Sequence, residues 1–247
     1  MAEQLYTIPI NEAFEQYDGC PLCRLRAKLE KQSLNYIMGA AMMEPDIRIV
    51  TNRLGFCRNH FHQMLDMGNR LSFALILESH LQYVLEQLPS PDDKKAGRLG
   101  KLKKYDGESP APDMLQQAKS CYVCSRIQDF EQKYVSNVVY IYKKDPEFTE
   151  KLKNQPYFCL EHAAMLLDAG IRELVVYTLQ NTGMEARYLE FSQIILNKTR
   201  SELESLRKNI TAFCRSFDHE NAGKPLTDET RYAVESAVAF LSGDFEK

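Results

Sequence analysis

The 247-residue chain has no convincing run in which apolar and polar residues alternate, the signature of a half-buried strand. That absence excludes a sheet-based core and leaves helices to build the fold. No apolar stretch is long enough to cross a bilayer, so a membrane is not an expected partner. Net charge is only −3, which provides no global field for nucleic acid or an anionic surface. The phosphate-cradling patterns GxxxxGKS/T and GxGxxG are missing, as are the GxSxG nucleophile elbow and the HExxH metalloprotease motif. With them go the common signals for nucleotide, acyl-transfer and metal-hydrolytic chemistry. Met1-Ala2-Glu3-Gln4-Leu5-Tyr6 lacks the basic and then apolar regions of a secretory signal, so the expected compartment is cytoplasmic. In such a reducing compartment, clustered cysteines serve as metal ligands or redox groups more often than as structural disulfides.

What the chain does have is one metal-ligand pattern written twice. The first copy reads Cys20-Pro21-Leu22-Cys23, then 33 residues, then Cys57-Arg58-Asn59-His60. The second reads Cys121-Tyr122-Val123-Cys124, then 34 residues, then Cys159-Leu160-Glu161-His162. Six of seven cysteines and two of five histidines fall into this scheme, leaving little room for accident. The duplication extends beyond the ligands. Glu44-Pro45-Asp46 matches Asp145-Pro146-Glu147 at the same offset as the CxxC pairs, and Leu65-Asp66-Met67-Gly68 matches Leu167-Asp168-Ala169-Gly170. Two copies of one structural unit follow.

Nearly every segment has helical periodicity. Leu22, Leu25, Leu29, Tyr36, Ile37 and Ala40 follow the first CxxC at helical spacing, and Val123, Ile127, Phe130, Tyr134, Val138 and Ile141 follow the second. These helices are expected to end near Glu44 and Lys144, ahead of prolines that start short helices over 46–53 and 147–154. The FCxxH motifs open further helices, stopped at Gly68 and Gly170. Leu71, Ala74, Leu75, Leu81, Val84, Leu85 and Leu88 form the expected core stripe of a closing helix over 70–88. Residues 89–113, with four prolines around a lysine-rich stretch, form a polar linker. A long helix over 184–220 carries a seam of Leu203, Leu206, Ile210, Phe213 and Phe217. A last helix starts near Thr227-Asp228 and carries Val234, Ala237, Val238 and Leu241.

The expected fold is therefore all-α, with two pseudo-repeated helical units, each pinned by a Cys3His metal site, plus the long helix and the C-terminal helix. The domain boundaries that follow are 1–88 for the first unit, 89–115 for the linker and 116–247 for the second unit. Within CxxC two intervening residues turn both sulfurs toward one point, and within CxxH the i and i+3 positions share a helix face. Three thiols and one imidazole are the donor set of a closed tetrahedral zinc site. The expected ligands are Cys20, Cys23, Cys57 and His60 for one zinc ion, and Cys121, Cys124, Cys159 and His162 for another. An iron–sulfur cluster and a dithiol/disulfide pair at each CxxC are the competing readings. Cys214 has no ligand partner at helical spacing and reads as a core cysteine; His62 reads as a surface residue and His80 as a hydrogen-bonded core residue.

The doubled CxxC and FCxxH pattern resembles an uncharacterised prokaryotic family of about this length, a domain of unknown function. The resemblance rests on Cys20, Pro21, Cys23, Phe56, Cys57 and His60, and on Cys121, Cys124, Phe158, Cys159 and His162. It implies the duplicated helical architecture and carries no mechanism.

Four protein ligands leave a zinc ion no open position for water, so no catalytic residue is assigned. The expected function is a non-enzymatic, zinc-stabilised module that binds a protein partner or regulates one. A thiol-based redox or metal sensor is the second expectation. A third is nucleic-acid binding through Lys94–Lys104, disfavoured because few aromatics are interleaved there for base stacking.

Overall fold

The computed structural model describes residues 4–88, 111–175, 183–219 and 225–243, and among these every regular element is helical. The first half contains α1 (Gln4–Phe14), α2 (Pro21–Met38), α3 (Pro45–Leu54), α4 (Arg58–Asp66) and α5 (Arg70–Gln87). The second contains α6 (Ala111–Lys119), α7 (Tyr122–Lys144), α8 (Pro146–Asn154), α9 (Leu160–Gly170), α10 (Gly183–Arg215), α11 (Asp228–Arg231) and α12 (Ala233–Ser242). The duplicated sequence becomes duplicated structure: α2, α3 and α4 recur in order as α7, α8 and α9.

Local chemistry sets the boundaries. Pro45 and Pro146 each occupy the first turn of their helix, where a missing N–H costs no hydrogen bond. Asp145 caps α8 by accepting from the Glu147 N–H. α2 stops at Met38, short of the expected Glu44, because Gly39 interrupts it and a 3-10 turn over Ala40–Met43 follows. Its counterpart α7 has no such glycine and runs on to Lys144. The expected linker loses its end to α6, which begins at Ala111; residues 89–110, with the lysine-rich stretch, lie outside the described residues. α10 ends at Arg215 rather than 220.

The described chain divides into two compact units, and they do not follow the expected boundaries of 1–88 and 116–247. One unit is Met1–Lys28 with Asp129–Lys247; the other is Leu29–Gln128. α2 and α7 therefore each contribute residues to both units. In the first unit, α9 and α12 pack on α10, and α1 packs on α8. Phe14 meets Phe148 and Phe158 at centroid distances of 4.9 and 6.3 Å, and Tyr142 meets Phe191 at 5.0 Å. The buried amide of Gln155 donates to the Phe14 carbonyl at 2.7 Å, tying α1 to the end of α8. In the second unit, α3 and α4 lie against α5 over a core of Leu34, Ile37, Phe56, Met64, Phe73 and Ile76.

Two helices, α5 and α12, bury a different face from the one expected, and α10 buries only part of its expected seam. On α5, Ser72, Phe73 and Ile76 are buried, while Leu71, Leu81 and Leu85 are 71%, 59% and 64% exposed. α10 buries Phe191, Ile195 and Leu206 but leaves Leu203 exposed, and Phe217, beyond its end, is exposed as well. α12 buries Ala233 and Phe240 while Val234, Val238 and Leu241 face outward. Each helix has apolar residues on more than one side, and in each the buried face holds an aromatic ring, which removes more area from water than a leucine.

Candidate metal centres

The eight ligand-type residues do come together, but not copy by copy. Cys20 and Cys23 of the first copy meet Cys159 and His162 of the second; Cys57 and His60 of the first meet Cys121 and Cys124 of the second. The expected sets of 20, 23, 57 and 60 and of 121, 124, 159 and 162 are corrected accordingly. In sequence order the pairing is nested, the 57–124 set inside the 20–162 set. Each cluster falls wholly within one compact unit. The physical reason lies in α2 and α7. Each CxxC sits at the start of a helix in one unit, and the same helix then runs into the other unit. The CxxC is left in the first of these units, and its own copy's FCxxH falls in the second.

Helix starts deliver the donors. Cys57 and Cys159 are the residues that cap α4 and α9, and neither sulfur is taken up in bonding its helix. His60 and His162 follow one turn later. Cys20 and Cys121 immediately precede α2 and α7, and Cys23 and Cys124 lie in their first turns. Each cluster thus gathers the N-terminal ends of two helices, whose free amides and partial positive charge favour a concentration of thiolate. Gly55 fits the chain into its FCxxH: at φ +59 it occupies a left-handed conformation, and a Cβ there would lie 2.9 Å from the His80 ring. Its carbonyl accepts from the Tyr122 N–H at 2.9 Å, fastening the approach to Cys57 beside the start of α7.

The spacing suits a single ion. In the first cluster the His162 Nδ1 lies 3.6, 3.2 and 3.1 Å from the sulfurs of Cys20, Cys23 and Cys159. In the second, the His60 Nδ1 lies 3.2, 3.2 and 3.5 Å from Cys57, Cys121 and Cys124. The Cys23–Cys159 sulfurs are 3.5 Å apart and the Cys57–Cys124 sulfurs 3.8 Å. A tetrahedral ion with bonds near 2.3 Å to sulfur and 2.0 Å to nitrogen spreads its donors by roughly 3.5–3.8 Å. These sulfurs are far outside the roughly 2.05 Å of a disulfide bond, and all seven cysteines are free thiols.

The electrostatics point the same way. Burial resists ionisation of Cys121, but its hydrogen bond to His60 outweighs burial and lowers the thiol to about 6. Burial and the neighbouring Cys121 push Cys124 the opposite way. The first cluster repeats the division. Cys20 falls despite burial through its bonds to Cys159 and Cys23, and Cys23 rises through its bonds to Cys159 and Cys20. Like charges this close cannot all ionise by themselves. A divalent cation removes that conflict, so the donor sets fit one.

Two residues that no motif marks complete the sites. The Nε2 of His60 faces the Glu30 carboxylate at 2.9 Å, and the Nε2 of His162 faces Glu131 at 3.2 Å. With Nδ1 turned to the sulfurs, each carboxylate sets the tautomer and ring orientation in which the histidine could bind an ion. Burial opposes charge on His60, but bonds to Cys121 and Glu30 raise it to about 10. Glu30 and Glu131 stand 101 residues apart, the offset of the CxxC motifs themselves. The signal was therefore in the duplication, one match among many charged helix positions. Each CxxC helix gives its thiols to one cluster and its carboxylate to the histidine of the other. Glu131 is further held by Arg26, which also pairs with Glu161 at 2.9 Å; Glu30 instead accepts from Gln63 at 3.0 Å.

The remaining candidates lie apart from both clusters. His62 is exposed, and His80 bonds the Asn52 carbonyl at 2.9 Å. Cys214, expected in the core, is exposed on α10.

Among the described residues no helix is long and apolar enough to cross a membrane. A family model matches residues 1–247 and describes a family of unknown function (DUF6062). No curated protein and no solved structure matches the chain.

Proposed function

We propose a non-enzymatic role for this chain, which belongs to the DUF6062 family: it is a helical module stabilised by two zinc ions that binds another protein. The observation that carries this reading is that each cluster supplies four protein donors around one point. A tetrahedral ion so enclosed has no open position for water or substrate, which favours a structural role. Three sulfurs and one imidazole nitrogen favour zinc over calcium or magnesium, which take oxygen donors. Donor atoms all within 4.8 Å of one another suit a single ion. A multinuclear iron–sulfur cluster would hold its ligands further apart. Each such zinc site contributes on the order of 10 kcal/mol to folding, comparable with the whole stability of a domain.

For the partner, the outward apolar face of α5 offers a surface. Leu71, Leu81, Leu85 and Leu88 are all exposed there at helical spacing. Nucleic-acid binding through Lys94–Lys104 has no comparable support, since those residues lie outside the described ones.

Elemental analysis of the purified full chain tests the zinc reading. Two zinc ions per chain are expected, with loss of helicity on strong chelation. Absence of metal, or iron in its place, overturns it.

A further inference from the structure

The geometry points to a division of labour between the two clusters: Cys57 and Cys124 form an oxidisable thiol pair for hydroperoxides, while the other cluster is sealed against them. The zinc-release half of this inference rests on the proposed zinc occupancy; the thiol chemistry does not.

The two sites, built from the same motif, differ in exposure. Cys20, Cys23, Cys159 and His162 are 1%, 2%, 1% and 0% exposed. Gly243, at the end of α12, helps close that site: a Cβ on it would lie 3.8 Å from the Cys159 sulfur and 3.1 Å from both Arg26 and Glu161. In the other cluster Cys121 and His60 are buried, but Cys124 is exposed and Cys57 is half-buried. These two accessible sulfurs are 3.8 Å apart. A disulfide at roughly 2.05 Å needs only the remainder of that gap to close.

The chemistry balances with a hydroperoxide as oxidant. The Cys124 sulfur attacks the terminal peroxide oxygen; the O–O bond breaks, a sulfenic acid forms, and an alcohol leaves after taking one proton. Cys57 then attacks the Cys124 sulfur, forming the S–S bond as hydroxide leaves and takes a second proton to become water. Two thiolates, one hydroperoxide and two protons give one disulfide, one alcohol and one water. Two electrons pass from sulfur to oxygen. An ion held there keeps only Cys121 and His60 as strong ligands, so it is released. In the sealed cluster no sulfur is presented to the oxidant.

The test uses the full chain with Cys214→Ser, which removes the exposed thiol outside both clusters. Metal content is measured first and decides the zinc reading alone. Hydrogen peroxide is then titrated in, with a chromophoric chelator reporting released zinc and peptide mass mapping reporting disulfides. The expected result is release of one of two zinc equivalents, a Cys57–Cys124 disulfide, and Cys20, Cys23 and Cys159 unmodified until the protein is unfolded. Equal oxidation of both clusters overturns the inference, as does a different disulfide or resistance of both clusters. In metal-free protein the disulfide map still decides the thiol pairing. Cys124→Ser abolishes the disulfide if it folds. If it does not, the order of alkylation in the parent protein substitutes, and Cys124 must react before every other cluster cysteine.

Discussion

At the scale of single residues, the members of the two Cys/His clusters were legible because their chemistry is local. CxxC and CxxH each place two donors on one turn, and no other part of the chain has to be known. Glu30 and Glu131 were not, because a glutamate on a helix surface is ordinary until something is found opposite it. Their position predicts a difference between the sites. Glu131 is the more buried carboxylate and holds Arg26 as well as His162, whereas Glu30 holds His60 and Gln63 at a more open place. Glu131→Gln should weaken one metal equivalent by about 10–100-fold, the usual cost of losing a carboxylate behind a ligating histidine. Glu30→Gln should have the smaller effect, on the other equivalent. Chelator competition on each full-length variant measures this, and unchanged affinity of both equivalents in Glu131→Gln would show that the carboxylate does not orient the ring.

At the scale of elements, helix positions were readable and helix orientation was not. Pro45, Pro146, Gly68 and Thr227 mark their boundaries through backbone chemistry that acts within a few residues. Which face turns inward depends on neighbours distant in sequence. α5 makes the point: Phe73 and Ile76 face the Phe56 and Met64 core, and the leucine stripe that periodicity favoured is left outside. That outcome gives the helix its own prediction. Leu81→Glu combined with Leu85→Glu should leave metal content and helicity unchanged, since both side chains already face water. The same change should remove the partner that cross-links to α5 in cells. A partner that still cross-links to the folded variant would move the docking surface elsewhere. Conversely, Phe73→Ala should destabilise the fold by roughly 3–5 kcal/mol, readable in a denaturant titration.

At the scale of the whole molecule, the duplication was legible and its pairing was not, because both pairings give every cluster the same three thiols and one imidazole. Only the courses of α2 and α7 distinguish them. Residues 1–88 contain a full Cys3His set, yet in the protein those four residues serve two clusters. A fragment of 1–88 should therefore bind zinc weakly and remain largely unfolded by circular dichroism, as should 116–247, and mixing the two should restore helicity. A stable 1–88 fragment with one tightly bound zinc would show that pairing within a copy competes. The nested order also imposes a timetable on a chain emerging from the ribosome. The inner cluster has all its ligands once Cys124 is out, with His60 and Cys121 only 61 positions apart. The outer one waits for His162, 139 positions after Cys23. Until then Cys20 and Cys23 lack Cys159 and His162, the FCxxH they close on in the fold. A nascent chain stalled between these points carries one finished metal site and one exposed thiol pair, and this is the stage at which mismetallation or capture by a chaperone would act.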